Sequence, residues 1–87
     1  MSHYYAVLGS QLCDLLELDG CGRLDKGTHS VISKPGMKSR HIQHNYLFNA
    51  DDVGKFCRGA GVSTERFEEL YAKVGVNMTT QAPPKQS

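Results

Sequence analysis

The chain has 87 residues, 39% of them hydrophobic, and its 10 Lys and Arg against 9 Asp and Glu leave a net charge of +1. That length suits one small domain with a modest core, because domains commonly run to about 100–150 residues and short chains bury a smaller share of their surface. No apolar run reaches the ~20 residues of a membrane span, and Met1-Ser2-His3-Tyr4-Tyr5 lacks the basic start and cleavage site of a signal peptide, so a cytoplasmic protein without a membrane partner is expected.

The first predicted element is a helix. Tyr5, Leu8, Leu12, Leu15 and Leu16 recur at three- and four-residue steps, the spacing of one helix face. Gly9 weakens it by roughly 1 kcal/mol relative to Ala, and Asp19-Gly20 is a stop signal. Residues 20–28 are rich in Gly and charge and read as a loop. Pro35-Gly36 fits a type II turn, since Pro fixes φ near −65° and Gly tolerates positive φ. Ile42, His44, Tyr46 and Phe48 then alternate with Gln43, Asn45 and Leu47, the period of a strand. A β-hairpin over 29–33 and 40–48 follows, with Leu47 pointing to burial on both faces near its end.

Two helices close the domain. Asn49 caps the first, with Asp51 and Asp52 placed against its dipole and Val53, Phe56, Cys57 and Ala60 as its apolar face. Gly61 ends it. Ser63 or Thr64 caps the second, whose apolar face is Phe67, Leu70, Tyr71 and Val74, and Gly75 reads as its stop. The fold class expected is α+β and mostly helical: an N-terminal helix, a β-hairpin, then a pair of helices. Residues 1–78 form the domain, and 79–87, with two prolines and no apolar pattern, read as a disordered tail.

Charge is unevenly spread. Residues 1–20 hold Asp14, Glu17 and Asp19 with no Lys or Arg, whereas residues 21–44 hold Arg23, Lys26, Lys34, Lys38 and Arg40 against Asp25 alone. Such a basic middle makes either a local positive surface or simply a solvated hairpin. The cysteines, Cys13, Cys21 and Cys57, are odd in number and irregularly spaced, a poor disulfide framework. Cys13 and Cys57 read as small buried hydrophobes. With His41 and His44 the cysteines lack the close pairs that structural zinc prefers, so no metal is expected. No Gly-x-Ser-x-Gly, Walker or dinucleotide motif occurs, so neither an enzyme nor a cofactor is expected.

The segment from Phe56 to Leu70, Phe-Cys-Arg-Gly-Ala-Gly-Val-Ser-Thr-Glu-Arg-Phe-Glu-Glu-Leu, resembles the helix-turn-helix of bacterial and phage DNA-binding regulators, and residues 52–74 cover the whole motif. Cys57 supplies the small residue where two steeply crossing helices touch, Gly61 the turn, Val62 the plug and Ser63 the cap. The resemblance implies a winged-helix-like arrangement in which the second helix enters the major groove with its N-terminal residues on base edges. Ser63, Thr64 and Arg66 would then read bases, while Lys55, Arg58, Lys34, Lys38 and Arg40 hold phosphates. The resemblance implies double-stranded DNA as the partner, a homodimer on a paired site, and a transcriptional regulator of phage or mobile-element type as the expected function.

Glu65, Glu68 and Glu69 depart from that pattern, because phosphates repel carboxylates. They motivate a second reading, a small phage-type inhibitor that binds a host enzyme or a defence complex, such as a CRISPR complex, through protein–protein contacts made by these three residues.

Overall fold

A computed structural model describes residues 3–81, and the side chains of residues 3–74. The elements run β1 (Val7–Leu8), α1 (Gly9–Leu18), β2 (Gly22–Asp25), β3 (His29–Lys34), β4 (Met37–Gln43), β5 (Leu47–Phe48), α2 (Ala50–Gly59) and α3 (Thr64–Gln81). The protein is thus α+β, with three helices and two antiparallel sheets among the described residues, one ordered β2-β3-β4 and the other pairing β1 with β5. Among those residues no helix is long and apolar enough to cross a membrane.

The N-terminal element departs from the sequence expectation. Leu12, Leu15 and Leu16 are buried on α1, but Tyr5 and Leu8 precede the helix and stay partly exposed. Residues 7 and 8 instead pair with Phe48 and Leu47. Gly9 marks the changeover. Its N–H donates to the Tyr46 carbonyl at 2.8 Å, and that of Ser10 to the His44 carbonyl at 3.1 Å, so two helix-start donors are satisfied by backbone. A Cβ on Gly9 would lie 1.6 Å from the Gln43 carbonyl oxygen. The glycine that reads as a weak helix residue is what lets the helix start against the end of β4.

The hairpin turns at Pro35-Gly36, with Gly36 at φ +84° and Lys34 opposite Met37. Residues 22–25, expected as loop, form a third strand on its edge. The second predicted strand is cut short. Backbone turns away after Gln43 and pairs again as β5 in the other sheet, which leaves Leu47 62% exposed while Phe48 is buried.

Sheet register sets which side chains face inward. Ile32 lies in one cross-strand row with Arg23 and Arg40, and Ile42 in another with Ser30. Ile32 and Ile42 join Leu12, Leu15 and Leu16 of α1 with Val53, Cys57, Phe67 and Leu70 of α2 and α3 in one core. Buried Ser30 donates its hydroxyl to Asp25 Oδ1 and sits 2.7 Å from His44 Nε2, which ties β2, β3 and the bend after β4 together. This bond and that from Arg23 hold the Asp25 carboxyl below its ordinary pKa.

Helix α3 continues through Gly75 to Gln81. A helix propagates through a single Gly at a cost of about 1 kcal/mol, so Gly75 is no stop. Of the tail expected at 79–87, residues 79–81 are helical and 82–87 lie outside the described residues.

Candidate nucleic-acid interface

The connection between α2 and α3 follows from local chemistry. Asn49 caps α2, its side chain accepting from the Asp52 N–H at 2.9 Å. At the other end Ala60 is the C-cap and Gly61 follows at φ +78°. The Gly61 N–H donates to the Arg58 carbonyl at 3.1 Å and the Val62 N–H to that of Cys57 at 2.8 Å. This bond pair is a Schellman motif, with Val62 and Cys57 both buried beneath it. Ser63 rather than Thr64 caps α3, its Oγ accepting from the Arg66 N–H at 3.2 Å.

Two side chains of the hairpin reach this corner. Lys34 Nζ donates to the Ala60 carbonyl at 2.5 Å, and it lies 3.5 Å from Asp19 Oδ2. Arg40 places its guanidinium carbon 4.5 Å from the centre of the Phe56 ring on α2. On the other flank of α2, the Arg58 guanidinium lies 5.6 Å from the Tyr4 ring. Lys55 is exposed on the same helix. Cations from β3, β4 and α2 therefore gather around the α2–α3 corner.

These cations fall into two groups. Arg66 Nε donates to Asp19 Oδ1 at 2.9 Å and its Nη1 to Glu69 Oε1 at 3.1 Å. Asp19 thus holds both Arg66 and Lys34, with its own side chain only 12% exposed. Among the described residues no carboxylate lies within ion-pairing distance of Lys38, Arg40, Lys55 or Arg58. Arg40 and Arg58 stand over aromatic faces, which attract a cation without neutralising it. They keep their charge available to a partner.

The acidic residues of α3 are engaged as well. Glu68 Oε2 accepts from the Tyr5 hydroxyl at 2.6 Å and from the His3 backbone N–H at 3.0 Å. The Tyr5 hydrogen bond is the main reason that the Glu68 carboxyl sits below its ordinary pKa. Glu69 pairs with Arg66, and Glu65 accepts weakly from the Thr64 hydroxyl at 3.4 Å. Tyr4 completes the strap across α3: its hydroxyl donates to the Val62 carbonyl at 2.7 Å and its ring meets that of Phe67 edge-on at 5.3 Å.

Sequence reading found the cations but not their partners. Asp19 reads locally as a helix stop, and nothing near it announces that it binds residues of β3 and α3. Tyr5 reads as part of a helix, not as a strap on another one.

The remaining chemistry is quiet. The three cysteines are free and buried. Burial pushes the Cys57 thiol up to about 12 and raises those of Cys13 and Cys21. A thiol so shifted stays protonated and unreactive near neutral pH. Among the described residues no group of three or more His, Cys, Asp or Glu is placed to hold a metal ion. No family model, curated protein or solved structure matches this chain.

Proposed function

We propose that this chain is a small DNA-binding transcriptional regulator of phage or mobile-element type, with α2 and α3 as a helix-turn-helix and the β3–β4 hairpin as its wing. The observation that carries the reading is the reach of the hairpin side chains Lys34 and Arg40 to the α2–α3 corner. It sets Arg40 against the helix that carries Lys55 and Arg58, which supports a local basic surface on a chain of net charge +1.

In this reading Lys38, Arg40, Lys55 and Arg58 hold phosphates of double-stranded DNA. Lys34 and Arg66 fix the hairpin and α3 in place through Asp19. Ser63 is the α3 cap and Thr64 is its first residue, which leaves Thr64 as a base reader, joined by Arg66 where a base edge replaces Asp19 and Glu69 as its partner. Affinity then comes mainly from phosphates and depends on salt. The regulator works in the cytoplasm of a bacterial host, as a homodimer on a paired site, and is not an enzyme.

A titration of labelled mixed-sequence duplex by fluorescence anisotropy tests this. Four phosphate contacts give a slope of roughly −3 to −4 in log K against log salt. Absence of salt-sensitive binding at micromolar protein sinks the reading.

One observation favours a protein partner instead. Leu8 and Leu47 face each other across the β1–β5 ladder, 40% and 62% exposed. Exposed apolar pairs of this kind suit a protein interface. An inhibitor of a host enzyme or defence complex would use this patch with the acidic flank of Glu65, Glu68 and Glu69. A stoichiometric host partner, lost on charge reversal at those three residues, is the result that selects it.

A further inference from the structure

One aromatic row extends beyond the contact that the regulator reading uses. Tyr46 meets Phe48 edge-on at 4.7 Å between ring centres, Phe48 meets Phe56 edge-on at 5.3 Å, and Arg40 stands over Phe56. The inner rings are core-packed, but Tyr46 at the outer end is 55% exposed. It differs from the tyrosines of the N-terminal strap, whose hydroxyls donate to Val62 and Glu68. Among the described residues the Tyr46 hydroxyl has no hydrogen-bond partner.

Its backbone, by contrast, is pinned. The Tyr46 carbonyl accepts from Gly9 at the start of α1, and its N–H donates to the Gln43 carbonyl at 3.5 Å. The main chain is therefore held in place, and the ring stands at the end of a row whose other end is a cation without a carboxylate partner. A half-exposed ring linked through two further rings to an unneutralised cation supplies the two parts of a base-stacking platform with a phosphate track. A fully paired duplex has no base free to stack on such a ring.

We infer that the Tyr46–Arg40 row binds an unpaired stretch of nucleic acid, one base stacking on Tyr46 while the flanking phosphates lie toward Arg40. This rests on the reading that the α2–β4 face binds nucleic acid, and it replaces the paired duplex of that reading, at this row, with a single-stranded or locally melted stretch. The unpartnered charge at the far end of the row favours this occupant over an apolar protein surface.

The test compares labelled oligothymidylate with a duplex of equal length at low salt, for the wild type and for Tyr46→Ala and Tyr46→Trp. The chain contains no other Trp, so Tyr46→Trp gives a single fluorescent reporter at the site. Single strands are expected to bind at least about fivefold tighter than duplex. Tyr46→Ala is expected to weaken single-strand binding about tenfold and leave duplex binding nearly unchanged. Tyr46→Trp is expected to restore the preference, its emission quenched by the single strand. Equal or tighter duplex binding, or equal losses on both substrates in Tyr46→Ala, overturns the inference and leaves the regulator reading standing. Binding to neither substrate overturns both and leaves this face to a protein.

Discussion

Helices α2 and α3 follow one another in the chain and handle their charge in opposite ways. On α3, Arg66, Glu68 and Glu69 are all engaged, and the partners that lie beyond α3 come from the N-terminal strap and from Asp19 at the end of α1. On α2, Lys55 and Arg58 carry no carboxylate partner among the described residues, and Arg40 of the hairpin leans on the same helix still unneutralised. The helix that the motif singles out as reader holds the fold together. Its neighbour carries the charge that a polyanion would meet. A motif thus locates a corner of the molecule, whereas the pairing of side chains decides which element there is free to act.

If α3 is chiefly structural, its anchor should dominate stability. Phe67 is fully buried and meets Tyr4, Tyr5 and Tyr71. Phe67→Ala is expected to cost about 3–5 kcal/mol, through lost burial and the cavity left behind. Urea unfolding measures it. A cost below about 1 kcal/mol would show that the strap and α3 are not held as described.

Asp19 is the next point of attack, because it links α1, the hairpin and α3. Asp19→Asn keeps the size and removes the charge that Arg66 and Lys34 share. The expected loss is about 1–2 kcal/mol, in the range for hydrogen bonds to charged groups and discounted because both cations are partly exposed. The same variant sharpens the comparison by a second readout. It releases two cations at the corner, so duplex affinity should rise while stability falls. A fall in both would argue that the clamp positions the DNA-binding surface.

These pairings explain what was legible beforehand. Caps and turns depend on neighbours a few positions apart, so Asn49 at the start of α2, the Pro35-Gly36 turn and the core positions Leu12, Leu15, Phe67 and Leu70 follow from sequence alone. Tyr5 and Leu8 fit the same helical spacing as Leu12, yet they lie outside α1. Local periodicity cannot register that Leu8 pairs with Leu47 or that Tyr5 reaches Glu68. Gly9 carried a hint, since a glycine in an apolar helical pattern often marks a close backbone approach. The basic residues of the candidate site were equally visible. Which of them are neutralised was not, because Arg66 and its partner Asp19 are 47 positions apart.

Acid offers a gentler way to loosen α3. Glu68 has a folded pKa below its ordinary value, so its contribution is present above the ordinary carboxylate range and is lost as pH falls through the lowered value. Tyr5→Phe removes the hydrogen bond chiefly responsible. The acid unfolding midpoint of Tyr5→Phe should therefore lie at higher pH than that of the wild type, with the two proteins closer in stability at low pH than at neutral pH. Circular dichroism across an acid titration checks this. Identical midpoints would mean that the strap contributes nothing through Glu68.

The smallest stability effect belongs to the other helix, and it is the most informative about function. Lys55→Gln and Arg58→Gln remove exposed charge without breaking an ion pair, so each should change stability by less than about 0.5 kcal/mol. Arg58→Gln is the exception, because it also gives up a cation–π contact with Tyr4 and should cost about 0.5–1 kcal/mol. If these residues sit on phosphates, each substitution should reduce the magnitude of the salt slope for DNA by about 1 and weaken all duplex sequences alike. Stability and binding would then separate cleanly between the two helices: Phe67 and Asp19 move the first, Lys55 and Arg58 the second. An unchanged slope in both α2 variants, with binding intact, would assign the phosphate contacts elsewhere and remove α2 from the interface.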